Sequence, residues 1–493
     1  MKRSEYLSKS RMMAGAQCVK RLWLQTYLPE LAEISSGTEA VFAIGHEVGA
    51  AAQRLWPEGH LIGHDNDLSQ ALAETKVCLE QATVTLFEAT FNADGILVRT
   101  DIFNRDEADN VWLIEVKAST SVKEHYFLDC AIQYQVLKGA GHEPATVTLA
   151  HINNQFIYTT LDNYEGLFEL EDVTKDTVEI ADTVEPLAAK LRSHLVGSEP
   201  EIAVGPHCFQ PYECSFLTYC SPPSPEYPVG ALPGGKKVVQ ELLNEGIEDI
   251  RNIPAGRLTN DLQERIREIT VSGKPQLLPT ARDALEKLPY PRYYFDFETV
   301  SFAVPIWLGT RPYQALPFQW SCHIESASGE LEHREYLPDE IEPPMRNVAE
   351  TLIEALGNAG PIIVYTAYEK RMINLLIEMH PDLKTPLKAI TERIFDLHPV
   401  TKNNYYHPDM LGSWSLKSVM PTVAADVDYS ALQEIQDGGA ADAAFKEMLN
   451  SETTQTRRAQ IRKSLFAYCR LDTLALVRLT HFLSRDSGLA PAS

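Results

Sequence analysis

Apolar residues recur at helical spacing from the start of the chain to about residue 56, through Leu22, Leu24 and Leu28 and then Val41 to Leu55, and predict helices there. The period then drops to two. VTLFEATF, GILVRTDIFNR and VWLIEVKAS read as strands, separated by the turn compositions Asn-Ala-Asp-Gly and Asp-Glu-Ala-Asp-Asn, so an antiparallel meander is expected. A helix over His125 to Gly139 and a strand over Ala145 to Ile152 should follow. After Cys220, SPPSPEYPVGALPGG is too rich in proline and glycine for a helix or central strand to persist. Short helices fill Val238 to Leu288, and PYPRYYFDFETV opens a second region, in which IIVYTAYEKRMINLL reads as a buried strand running into a helix. The expectation is an α/β, multidomain chain with domains at 1–222 and 289–485, joined by a Pro/Gly linker and helical connector at 223–288.

Composition narrows the class. At 493 residues the chain exceeds one ordinary core. With 44% hydrophobic and 23% charged residues, and no stretch of about 18 apolar residues, it reads as a soluble protein without a membrane partner. The basic start lacks an apolar core before a cleavage site, so a cytoplasmic location is expected. A net charge of −24 argues against a surface with general nucleic-acid affinity but leaves room for a basic groove. Lys20-Arg21, Lys236-Lys237 and Arg457-Arg458 could line such a path, although pairs of this kind are usually solvated surface.

Three constellations carry chemistry. In the first, Asp101 lies in one strand and Glu115 and Lys117 in the next, where residues two apart share a face. Glu-x-Lys alone is usually a solvated ion pair. Here Val-Trp-Leu-Ile precedes it, so the pair closes a buried strand, where an unpaired charge is expensive. Carboxylates from neighbouring strands can hold divalent cations against a phosphate, while the lysine offsets developing charge. Asp101, Trp-Leu-Ile-Glu-Val-Lys and Asp129-x-x-x-Gln133 together resemble the PD-(D/E)XK nucleases of the RecB type. The resemblance implies a restriction-endonuclease-like fold, Mg2+ or Mn2+ at Asp101 and Glu115, and catalytic roles for Lys117 and Gln133. Leu137 stands where such families carry a tyrosine, and His46 and Glu47 are weak candidates for a ligand on the first helix.

In the second, Cys208, Cys214 and Cys220 fall within 13 residues and Cys18 stands near the start, a sulfur set suited to zinc or an iron-sulfur centre. His207 is an alternative to Cys208. The arrangement is similar to the RecB-type nucleases that carry a [4Fe-4S] cluster, including the CRISPR adaptation nuclease, which implies those four cysteines as ligands. Cys78, Cys130, Cys322 and Cys469 sit in apolar surroundings and read as small core residues.

In the third, YYFDFET places Asp296 and Glu298 on one face of a strand, and LFAYCRLDTLALVRL places Tyr468 and Asp472 on one face of a helix. Glu369 stands at a strand-to-helix junction between them, and Asp396 follows in RIFDLHPV. In that order these residues resemble the DEDD exonucleases of the RNase H-like fold, in the subclass with a tyrosine in its third motif. The resemblance implies two metals about 4 Å apart at a site including Asp296, Glu298 and Asp472, and 3′ to 5′ polarity. Asp396 could share the duty of Glu369, the longer carboxylate where that family has an aspartate. In GSWSLK, the hydroxyls and Lys417 could meet phosphate or serve as a helix cap.

Both modules together resemble a bacterial family of two-module fusion proteins. A DNA nuclease of repair or defence is the expected function, with RNA not excluded and a helicase or ATPase as possible partner. The alternatives are a nucleic-acid-binding scaffold with silent sites and a regulator gated by its cluster.

Overall fold

The structure is a computed structural model that describes residues 7–33, 36–64, 67–339, 342–424 and 426–485. The first six residues of the basic start lie outside it. The chain is mixed α/β and divides into two compact units. One holds the chain up to Pro222 together with Phe302–Gln314; the other holds Pro223–Ser301 and Ala315 onward. The expected connector is thus part of the second unit. Its helix Asp261–Ser272 is tied there by Arg265, which donates to Gln276 Oε1 and to the Lys402 carbonyl (both 2.7 Å).

The first unit opens with helices α1 (Lys9–Gln17) and α2 (Val19–Tyr27). Its sheet is built on β1 (Val84–Ala93), β2 (Ile96–Arg105), β3 (Val111–Lys117), β4 (Pro144–Ile152) and β5 (Phe168–Asp172), in that order. β1 and β2 meet across a two-residue turn, Asp94-Gly95, with φ of +50° and +70°. Asp-Gly tolerates that backbone, and its twist matches the strands. The meander stops at β3, because β4 pairs with β3 in parallel through the crossover helix α3 (His125–Gly139). α3 is buried along Tyr126, Cys130, Gln133, Tyr134 and Leu137, at spacings of three and four.

The excursion Phe302–Gln314 was not legible from local pattern. It belongs to the first unit because Ala303 and Val304 pack with Val48, Ala51, Ile152 and Leu167, and the Tyr313 hydroxyl donates to the Ala118 carbonyl.

In the second unit, β6 (Arg292–Val300) pairs antiparallel with β7 (Leu316–Glu325), which pairs with β8 (Leu331–Tyr336). On the other side of β6, β9 (Ile362–Val364) and β10 (Ile394–Asp396) follow in parallel. Helix α4 (Tyr368–Met379) leaves the end of β9. Helices α5 (Gly438–Leu449) and α6 (Gln455–Leu483) pack on the sheet. α6 buries Ile461, Leu465, Tyr468, Asp472 and Leu476 as one stripe. Among the described residues no helix is long and apolar enough to cross a membrane.

Candidate functional site

In the first unit the ladder between β2 and β3 runs to Ile102 opposite Ile114, which brings Asp101 beside the end of β3. Asp101 Oδ2 accepts the Val116 amide at 2.7 Å. Glu115 is buried, and Lys117 Nζ donates to Glu115 Oε1 and Asp129 Oδ2, both at 2.6 Å. Gln133, one turn along α3 from Asp129, donates to Glu115 Oε2 at 2.7 Å, while its own carbonyl oxygen is buried without a partner. The four sequence-expected residues therefore converge.

Two members were missed as site residues. Asp129 was noted only as part of the motif, and Lys9 comes from α1, 106 residues before Glu115, with Nζ 2.9 Å from Glu115 and 3.1 Å from Asp129. Nothing local in the sequence marks Lys9. Burial and the charge of Glu115 push Asp101 up to about 7, against the pull of Lys9 and Lys117. Burial acts on Glu115 in the same direction, but Lys117 and Lys9 outweigh it and hold Glu115 well below the usual range. His46 is exposed and Glu47 half-buried on the helix Ser36–Gln53; the partners of the carboxylates come instead from α1 and α3.

Cys18, Cys208, Cys214 and Cys220 line one enclosed cavity with His207, Leu24 and Phe216, and all four are free thiols. Gln17 ties the two parts of this site by donating to the carbonyls of His207 and Tyr212, both at 2.7 Å. Among the described residues no three of the four sulfurs lie within 4.8 Å of one another. A tetrahedral zinc with bonds of about 2.3 Å would draw its sulfurs to roughly 3.8 Å. Four thiols lining one cavity are a donor set that could hold zinc or an iron-sulfur cluster.

The second unit gathers Asp296 and Glu298 from β6, Glu369 from the first turn of α4, and Tyr468 and Asp472 from α6. An open cavity of about 390 Å³ is lined by Asp296, Glu298, Ser415, Lys417, Tyr468 and Asp472. Thr366, three residues before Glu369, has φ of +92°, a strained conformation of the kind that collects at functional sites. Burial and the charges of Asp472 and Glu298 raise Asp296 well above the carboxylate range. Burial and Asp472 do the same to Glu298, with Lys417 opposing. Glu369 is pushed by burial up to about 8 and Asp472 up to about 6. Glu369 also acts to raise Asp296, and its own Oε2 is buried with no hydrogen-bond partner. Four buried or half-buried carboxylates against the ammonium of Lys417 make an unsatisfied negative cluster, and divalent cations fit it.

Three positions depart from expectation. Asp396 caps the helix Leu397–Asn404, its Oδ1 taking the amides of Thr366 and His398 at 2.9 Å, and it does not line the cavity. A carboxylate that satisfies two orphan amides is a structural cap first. Tyr429, unnoticed in the sequence, donates its hydroxyl to Asp472 Oδ1 at 2.5 Å. Cys469, expected as core, is fully buried but has its sulfur beside Asp296 and Glu298. Ser415 caps its short helix by accepting the Ser418 amide, and Lys417 lies 5.7 Å from the rings of both Tyr429 and Tyr468. Of the expected basic pairs, Lys20 is bound to Glu199, and Arg457 to Glu434 and Glu447.

The comparisons with known proteins are sparse. A family model described as "Domain of unknown function (DUF2779)" matches residues 293–415. No curated protein matches the chain. A solved structure titled "Crystal structure of SSO0001" is 15% identical over 45% of this chain and 87% of that chain, with a TM-score of 0.25. A likeness that low carries no argument.

Proposed function

We propose that this chain is a metal-dependent nuclease that hydrolyses phosphodiester bonds in DNA with two separate sites. The observation that carries the reading is the carboxylate cluster of the second unit, where Asp296, Glu298 and Asp472 share an open cavity with Lys417 and Tyr468, and the buried Glu369 acts on Asp296 from beside it. The proposed folds are RNase H-like for the second unit, as in the DEDD exonucleases, and restriction-endonuclease-like for the first.

In the second unit Asp296, Glu298 and Asp472 would hold Mg2+ or Mn2+, with Glu369 in support, and bound cations would supply Lewis-acid charge at the scissile phosphate. Tyr429 orients Asp472 through its hydroxyl. Burial and Asp472 raise Tyr468 far above its usual titration, so it stays a hydrogen-bond donor that can position water. Lys417 faces the charge that develops on phosphate oxygens. In the first unit Asp101 and Glu115 would hold a cation, Gln133 fixes Glu115, and Lys117 orients the attacking water. The four cysteines would hold a [4Fe-4S] cluster that staples α1 and α2 to the end of the unit. DNA is preferred to RNA by association with repair and defence enzymes, and a helicase or ATPase is the partner class that association suggests.

The test is Mn2+-dependent release of nucleotides from end-labelled single- and double-stranded DNA by the anaerobically purified protein. Lys117→Ala or Asp296→Ala should each remove part of the activity, and the double variant all of it. Cleavage that survives in the double variant would sink the reading. Salt-sensitive DNA binding without product on any substrate would mark a scaffold instead.

A further inference from the structure

Cys469 is the one thiol near the carboxylates of the second unit that its apolar sequence neighbours gave no reason to expect there. It follows Tyr468 on α6, one residue round the helix, and is fully buried against β6. Its sulfur and one carboxylate oxygen each from Asp296 and Glu298 lie within 4.8 Å of one another. Metal–oxygen and zinc–sulfur bonds are about 2.1 and 2.3 Å long, so one cation could engage all three donors after only small shifts. A second feature points to a ligand here. Glu369, at the start of α4 beside these carboxylates, is 3% exposed and keeps Oε2 buried with no partner.

We infer that Asp296, Glu298 and Cys469 form a three-donor site selective for thiophilic divalent cations of the zinc class, so that zinc displaces manganese or magnesium there. A purely carboxylate site prefers hard cations, whereas one sulfur donor shifts preference toward zinc and cadmium. On binding, the thiol proton passes to solvent and the sulfur becomes an anionic ligand. Zinc held this way uses up donors of the cation that the hydrolytic reading needs, so trace zinc acts as an inhibitor of this unit. The inference rests on the second unit's carboxylates being a cation site, and the measurement reads binding apart from hydrolysis.

The experiment follows Mn2+ by paramagnetic resonance in the cluster-loaded protein carrying Asp101→Asn, which silences the first unit's site. Zn2+ is then titrated in. The expected result is that Zn2+ displaces Mn2+ at concentrations roughly tenfold or more lower when Cys469 is present than in Cys469→Ser, while Mn2+ affinity itself changes little. Cys469→Ala should behave like Cys469→Ser, which guards against a variant that merely misfolds, and thermal melts of both check the fold. An unchanged ratio of zinc to manganese affinity in both variants would overturn the inference. If Glu298→Gln leaves Mn2+ binding intact, the cation reading of the site itself fails, a different outcome from the first.

Discussion

Replacing Glu369 by glutamine should stabilise the cation-free second unit at alkaline pH. Glu369 is 3% exposed, and its carboxyl rises from the ordinary 4.5 to about 8. The folded chain therefore binds this proton more tightly than the unfolded chain. Between about pH 4.5 and 8 the native state holds more protons, and stability falls as pH rises through that window. Each tenfold in proton affinity is about 1.4 kcal/mol, so at pH 8 ionisation costs the native state up to about 5 kcal/mol. Asp296, Glu298 and Asp472 can take up part of the relief, and the new amide must find partners, so a gain of roughly 2–4 kcal/mol is expected. The assay is hydrogen exchange at increasing urea in the presence of a chelator, read on peptides from β6 and α6 at pH 5 and pH 8. Glu369→Gln should be clearly more stable at pH 8 and nearly equal to wild type at pH 5. Saturating Mn2+ should stabilise the wild type more than the variant. A variant less stable than wild type at pH 8 without metal, or a difference independent of pH, would refute the reasoning.

Other consequences are as direct. Lys9 competes with a cation for Glu115 and Asp129, so Lys9→Met should tighten Mn2+ binding by calorimetry roughly tenfold while costing the metal-free unit about 3 kcal/mol; weaker binding would contradict it. Tyr429→Phe leaves Asp472 short of its hydroxyl donor and should slow hydrolysis by the second unit roughly 10–100-fold with intact folding by circular dichroism. Cys214→Ser should abolish the visible absorption of the proposed cluster and expose α2 to proteolysis, because Leu24 packs with Cys208, Cys214 and Phe216.

Much of both sites could be read from short-range pattern. Alternation on β6 put Asp296 and Glu298 on one face, and the four-residue step on α6 joined Tyr468 to Asp472. The same step on α3 joined Asp129 to Gln133. What escaped depends on contacts that no local period encodes. Tyr429 reaches Asp472 across 43 residues from a short irregular turn, and Lys9 reaches Glu115 across 106. Cys469 was hidden by its own surroundings: Leu465, Ala475 and Leu476 are buried on the same helix, and only the long-range placement of Asp296 and Glu298 beside its sulfur marks it. For Asp396 the sequence left two uses open, because a helix cap and a metal ligand use the same side chain; the structure adds that its Oδ1 takes the amides of Thr366 and His398.

Single-turnover hydrolysis of DNA labelled at either end, with Mn2+, tests the two-site account most directly when Asp101→Asn and Asp296→Asn are compared with the wild type. The account predicts that each variant loses a different class of products, with 3′-terminal nucleotides disappearing in Asp296→Asn and the remainder in Asp101→Asn. Identical products from all three proteins would contradict it.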